Sequence, residues 1–500
     1  MKMLATQITH GLKIGRREAA KPATVISLVA VMLTVLPYVS PSVSLVLAGL
    51  LIAIIAFVRF DPLLYVMVFL MPVAPLISVG DFPIHDVAGL ARLALFAGVL
   101  ARKLAQGEPI MAWLAGGLFQ KINLLYCAIA VVSATVVNPL ELGAAQSLFR
   151  LASYVALFYA VTGWVRSESQ LRKVMGALFA STIAVCLLGF AQVVIDDPGP
   201  WHDALYGKLA QEYSEPWTGR ITSVFNRTNP LAGYLDLVLP LSLLTYGCPS
   251  LPKSLRVAGR ACFVVGAVAL VLTESRGGLL GFVPMVFIVL RFFVRTRKAR
   301  WTAVLDAVLA LAIGAITSYV AVQVATPPSG ASAASDRFEG LDEGTLVRLF
   351  IYASAWGMFV SAPFFGIGFG NFRSHLNPLM GEDSPNNVWD THNLYLKLLS
   401  ETGMLGFVCF LALILVVVLM ALKSRKKASH QMDYVFGGAV LGAVTTLMLH
   451  GTVEVNMEVP QFGAMLWMLF GLFVAARRLN QPDAPGSNAD RPATSRKGSS

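Results

Sequence analysis

Apolar runs close to the length needed to cross a bilayer recur along the whole chain, separated by short polar stretches. They fall at about 24–40, 42–59, 62–79, 85–104, 122–138, 147–165, 172–195, 229–247, 257–273, 278–295, 302–324, 404–422, 432–450 and 459–476. The short alternating segments of a membrane barrel are missing. The pattern therefore predicts an all-α, polytopic integral membrane protein. Two longer polar interruptions stand out, at 196–228 and 326–403. The chain divides into a basic N-terminus (1–22), a helical body (23–325) containing the 196–228 loop, a large loop with short helices (326–403), a second helical body (404–478) and a polar tail (479–500). The tail and the stretch 327–335 are rich in Ser, Pro and Ala, a composition that cannot bury a core.

Composition agrees with this pattern. Hydrophobic residues make up 56% of the 500 and charged residues 13%, about half the usual charged fraction of a soluble domain. The net charge of +11 would suggest nucleic acid in a soluble protein, but here the basic residues sit between apolar runs on alternate sides. With fourteen spans, 1–22, Arg59, Arg102 to Lys121, Arg166 to Lys173, Lys253 to Arg260, Arg291 to Arg300, Lys423 to Lys427 and everything from Arg477 onward share one side. The opposite connections are acidic or mixed. The positive-inside bias then places both termini in the cytoplasm and excludes a nucleic-acid role. Pro37 to Pro41 is a poor cleavage site, so the first run reads as a retained helix. The five cysteines lack CxxC spacing and read as small core residues.

Against that bias, arginines on the outer side need a reason. Arg276 lies in the short outer connection Thr273-Glu274-Ser275-Arg276-Gly277-Gly278, where two glycines would allow a tight turn and a close approach to a ligand. A helix opening at Gly278 would add a weak preference for anions. Arg220 and Arg227 reach the same face from the loop before Asn229-Pro230, a plausible cap and first turn. Trp201, Tyr213 and Trp217 fit interfacial anchoring or stacking on sugars. In the large loop, Leu346, Leu349, Phe350, Ala353, Gly357 and Val360 follow the spacing of an apolar helix face. Arg348 and Tyr352, four apart, would share another side. Thr391 or Asp390 would cap a second helix that Gly403 ends, putting His392 in its first turn. A helix N-terminus disfavours imidazolium, so His392 would stay neutral and able to accept a proton. His202 and His375 share the compartment without that setting, and His85 and His450 lie at span ends. Arg92, Arg150 and Asp236 fall within or near apolar runs, where charges face a cavity or one another. No HExxH, paired acidic motif or cysteine–histidine cluster offers a metal site.

The ordered set Arg220…Phe225-Asn226-Arg227-Thr228-Asn229-Pro230, Ser275-Arg276-Gly277-Gly278, Arg348…Trp356…Pro363-Phe364-Phe365-Gly366-Ile367-Gly368 and His392-Asn393-Leu394-Tyr395…Gly403-Met404-Leu405-Gly406 resembles the O-antigen ligase and polysaccharide polymerase superfamily. The resemblance covers about residues 170–475. It implies a GT-C-like bacterial inner-membrane protein of about 12–14 helices, working on the periplasmic face without cofactor or metal. Its donor would be an undecaprenyl-diphosphate-linked glycan and its acceptor a glycan or lipid A-core. A flippase and a chain-length regulator would be its protein partners. Arg220, Arg276 and Arg348 would hold the diphosphate, with Arg227, Tyr352, Asn393 and Tyr395 as accessory residues. His392 and Arg276 would be catalytic, His392 acting as base on the acceptor hydroxyl or orienting it, with inversion at the sugar. The rival class is a transporter or flippase. Such proteins favour midplane sites and paired repeats, whereas the unusual polar residues here crowd onto one face.

Overall fold

The computed structural model describes residues 52–55, 60–73, 85–136, 141–195, 219–225, 227–325, 343–380, 390–425 and 431–480. The tail, the stretch 327–335, and Trp201, His202, Tyr213 and Trp217 lie outside these residues. The described regular elements are helical. They begin with α1 (Phe60–Leu70), α2 (His85–Ala105), α3 (Ile110–Ala115), α4 (Leu118–Val136), α5 (Leu142–Trp164) and α6 (Glu168–Ile195). Next come α7 (Thr228–Leu244), α8 (Lys253–Leu272), α9 (Arg276–Phe293) and α10 (Arg297–Ala325). The large loop contributes α11 (Glu343–Ser361) and α12 (Phe372–Met380), followed by α13 (Leu394–Ser424), α14 (Gln431–His450) and α15 (Pro460–Leu479). Among the described residues, nine helices are long and apolar enough to cross a membrane. The predicted polytopic all-α class is what the chain adopts.

Helix α14 is the hub. It packs on α7, α9, α13 and α15, while α5 packs on α2 and α15. Its spanning segment is 83% buried, against 28% for that of α10. Small residues allow the close packing: a Cβ on Gly442 would fall 2.5 Å from Pro240 of α7, and one on Gly281 3.1 Å from Thr446. The basic connections meet at one end. Glu108 pairs with both Lys103 and Arg166, Arg478 donates to the Thr162 carbonyl, and Arg477 donates to that of Met420. Helix α15 runs from that end to the loop 451–459, so about 30 Å of helix separates the basic face from the face carrying the candidate site.

Within α13 the first helical stretch ends at Gly403, as expected: its φ of 63° and ψ of −167° are non-helical, and beyond this kink a second stretch runs to Ser424. A kink strands backbone groups that must be paired elsewhere. The turn 363–368 does this: Ile367 and Gly368 N–H groups donate to the Ser400 and Glu401 carbonyls, and those of Met404 and Leu405 donate to Pro363 and Phe364. Ser133 of α4 adds bonds to the carbonyls of Phe365 and Glu401. The glycine-rich turn is therefore a clamp on the kink.

Helix α11 reverses the expected face. Ile351, Ala355 and Met358 are buried, while Leu346, Leu349, Phe350 and Val360 are exposed. Lipid is as apolar as a protein core, so an apolar stripe on such a helix does not mark its packed side.

Candidate active site

Helices α8 and α9 meet in a tight turn. Glu274 supplies the reversal with a left-handed φ of 52°, and Ser275 caps α9 by accepting the Gly278 N–H at 3.3 Å. Arg276 is thus the first helical residue, and it is exposed. Gly277 and Gly278 are not the turn, contrary to the sequence expectation. They sit inside α9, where a Cβ on Gly277 would lie 2.5 Å from His450 and one on Gly278 2.9 Å from Ala232. Their small size lets the N-terminus of α9 press against α14 and α7.

Arg220 is fixed over the same turn. Its Nε donates to the Thr273 carbonyl at 3.1 Å, its Nη2 to Thr228 Oγ1 at 2.9 Å, and Glu274 lies 3.9 Å away. These bonds hold the guanidinium at the mouth of α7 and α9. Asn229 is not the cap of α7. Arg227 occupies that position without a side-chain cap bond, and Pro230 falls in the first turn as expected. The Nε of Arg227 is buried without a hydrogen-bond partner.

Asn229 instead bridges to the histidine. It accepts from Ser275 Oγ at 2.8 Å and donates through Nδ2 to Glu454 Oε2 at 2.5 Å. Glu454 Oε1 lies 3.3 Å from His392 Nδ1. Burial pushes the Glu454 carboxyl up. The hydrogen bond and charge of His392, the Val455 N–H and the charge of His450 together outweigh burial and hold it below the usual carboxylate range. An ionised carboxylate only accepts, so Nδ1 of His392 is the donor to Glu454, and this tautomer of the neutral ring places the lone pair on Nε2. That is the arrangement of a carboxylate-oriented general base.

His392 is not in the first turn of α13, as expected from the sequence, but just before it. Asn393 is the cap, accepting from the Tyr395 and Leu396 N–H groups at 3.0 Å each. Thr391 Oγ1 donates to the Asn393 carbonyl, and Asp390 accepts from the Thr391 N–H and pairs with Lys397 at 3.1 Å. His392 has a left-handed φ of 49°, which turns its ring toward Glu454. A histidine in that region is uncommon, and such strain concentrates at functional positions.

The sequence-predicted residues therefore gather in two groups joined by Asn229 and Glu454. Arg220 and Arg276 form one around the 273–275 turn. His392, Asn393 and Tyr352 form the other, with Tyr352 OH donating to the His392 carbonyl at 3.3 Å. Arg348 lies one turn before Tyr352 on α11, exposed. Tyr395 is drawn elsewhere: its hydroxyl donates to the Met448 carbonyl at 2.6 Å, tying α13 to α14. Asn393 Nδ2 likewise donates to the Thr452 carbonyl. His375 of α12 bonds the carbonyl of Asn371, the residue just before that helix. Sequence reasoning missed Glu454, whose only signal was an acidic residue in a short outer connection.

Beneath the site lies a second pair. His450 Nδ1 is 2.9 Å from Asp236 Oδ2, both side chains are buried, and Asn456 Nδ2 lies 3.3 Å from each ring nitrogen. Among the described residues, no three His, Cys, Asp or Glu side chains converge as a metal-ligand set would.

Residues 261–411 match the family model described as O-antigen ligase. The match bears out the resemblance read from the sequence and contains Arg276, Arg348 and His392. Arg220, Asn229 and Glu454 lie outside it. No curated protein matches the chain.

Proposed function

We propose that the chain is a membrane glycosyltransferase of the O-antigen ligase or polysaccharide polymerase type. It works at the periplasmic face of the bacterial inner membrane, with both termini in the cytoplasm. The donor is an undecaprenyl-diphosphate-linked glycan. The acceptor is a hydroxyl of lipid A-core or of another glycan. One observation carries this reading: the chain Ser275–Asn229–Glu454–His392 couples the turn that holds two arginines to an oriented histidine.

In the transfer, the acceptor oxygen attacks the anomeric carbon and the bond from that carbon to the diphosphate oxygen breaks. The hydroxyl proton passes to Nε2 of His392. Glu454 stabilises the imidazolium that forms. Arg276 and Arg220, with Arg348 from α11, stabilise charge growing on the leaving diphosphate. Fixed cations are already oriented and need no reorganisation as that charge develops. Attack opposite the leaving group inverts the sugar, and the arginines supply the electrophilic help that a metal gives in other transferases. The N-terminus of α9 adds its dipole to the same end.

His392→Ala and Arg276→Ala, each expressed in a deletion strain, test the proposal. Both are expected to abolish long-chain surface glycan on a gel at normal protein levels, and an unchanged profile would sink the assignment. The deletion itself separates the two types. Naked lipid A-core with accumulated lipid-linked polymer indicates a ligase. Loss of long polymer with intact single-unit transfer indicates a polymerase.

A further inference from the structure

The mechanism above uses Glu454 but not the pair beneath it. Asp236 of α7, His450 of α14 and Asn456 are 1%, 2% and 6% exposed. His450 Nδ1 lies 2.9 Å from Asp236 Oδ2, yet Oδ1 of Asp236 is buried with no hydrogen-bond partner, as is Oδ1 of Asn456. A buried acid whose second oxygen goes unsatisfied is a poor device for stability alone.

The pair is built into the support of Glu454. The Val453 and Glu454 N–H groups donate to the His450 carbonyl at 3.0 and 3.1 Å, so the segment carrying Glu454 hangs from the last residue of α14. Asn456 Nδ2 lies 3.3 Å from each ring nitrogen of His450 and fastens the far end of that segment to the ring. Asp236 lies about two turns along α7 from Asn229, which already grips Glu454 Oε2. Helix α7 therefore holds the 450–456 segment at two points, through Asn229 at Glu454 and through Asp236 at His450. Helix α9 closes a third side: a Cβ on Gly277 would lie 2.5 Å from the His450 ring and 2.7 Å from Val453. Asp236, His450, Asn456 and Glu454 also line one cavity of about 10 Å³. A charge in so confined and apolar a space is weakly screened, and that of His450 favours the ionised Glu454 carboxylate.

We infer that Asp236 and His450 are positioning residues for the transfer: they fix Glu454, and through it His392, and they set positive charge beneath the Glu454 carboxylate. Their part in transfer rests on the transferase reading; their hold on Glu454 does not. The titratable groups that act on Glu454 are His392 from the start of α13, His450 from α14 and Tyr352 from α11. Those that face His450 are Asp236 from α7 and Glu454 from the connection after α14. Helix α9 brings Gly277, with exposed Arg276 beside it in the chain, and α13 and α15 bring apolar Leu394 and Phe462 to the shared cavity.

Infrared titration of the full chain in phosphatidylcholine nanodiscs follows the Glu454 carboxyl without turnover, its band identified by subtraction of the Glu454→Gln spectrum. The double variant Asp236→Asn/His450→Gln replaces the pair by two amides able to bond each other. Loss of the His450 charge favours the protonated carboxyl, so the Glu454 titration is expected to move up by about one unit, the low end for a nearby opposite charge. In a transfer assay the same variant should lower kcat by about 10-fold to 10²-fold with KM unchanged, the scale of a displaced catalytic group. Added to Glu454→Gln, it should lower kcat no further. Asn456→Ala leaves both charges in place and should move both readouts the same way by less. A Glu454 band that titrates as in wild type in either folded variant overturns the inference. Losses that add to those of Glu454→Gln overturn it too, by making the pair merely structural. An active His392→Ala protein would remove the transferase reading and leave the infrared result standing.

Discussion

Glu454 is the residue on which the candidate chemistry depends. It is the acceptor for both His392 and Asn229, so its loss frees the ring and opens the link to the arginine turn. Glu454→Gln is expected to lower turnover by about 10²–10⁴-fold, the scale of a general-base contribution, with little change in KM. A transfer assay on purified protein measures both. The same residue sets a pH dependence. Its folded carboxyl lies below the ordinary range, so its stabilisation is fully present above the unfolded pKa of about 4.3 and is lost as pH falls through the folded value. Melting curves should show the advantage of wild type over Glu454→Gln at pH 7 shrinking only once the pH drops below that ordinary range. An advantage that vanished near pH 6 would contradict the assigned ionisation.

At the scale of the element, α13 carries both the histidine and its support. Asn393→Ala removes two cap bonds and should cost about 1 kcal/mol. Gly403→Ala should cost more. The kink places Gly403 in a region that only glycine occupies readily, and a Cβ there would fall 2.4 Å from the Phe364 backbone. Melting temperatures in one detergent should rank wild type first, Asn393→Ala next and Gly403→Ala last. The extent of this element was only partly legible in the sequence. Asp390, Thr391 and Asn393 are all competent caps, and the choice fell to Asn393 because Lys397 holds Asp390 while Thr391 Oγ1 donates to the Asn393 carbonyl. Gly403 read as a stop because glycine commonly follows a helix, and the first helical stretch does stop there. A second stretch follows at once because the turn 363–368 pairs the groups stranded at the break. The buried side of α11 was hidden for another reason, since Ile351 and Met358, which are buried, are no more apolar than Leu346, Leu349 and Phe350, which are exposed.

Across the whole molecule, the buried Asp236–His450 pair joins α7 to α14 directly below the site. Removing one member leaves the other uncompensated, so His450→Leu should cost about 3–5 kcal/mol. The double variant Asp236→Leu/His450→Leu should recover part of that loss. Denaturation midpoints of the purified protein test the pair, and purely additive losses would show that it is not coupled. The sequence alone determined the polytopic all-α class, of which nine helices long and apolar enough to span stand among the described residues, and the ordered motifs that resemble the O-antigen ligase family. Those features are written in local hydropathy and short motifs, which need no knowledge of packing. Only the tertiary structure decided that Glu454 serves a histidine 62 residues away, that Asn229 reaches Glu454 across 225, and that Asp236 meets His450 across 214. Such partners depend on which helices lie side by side. In a chain whose outer surface is as apolar as its interior, hydrophobic pattern does not say which do.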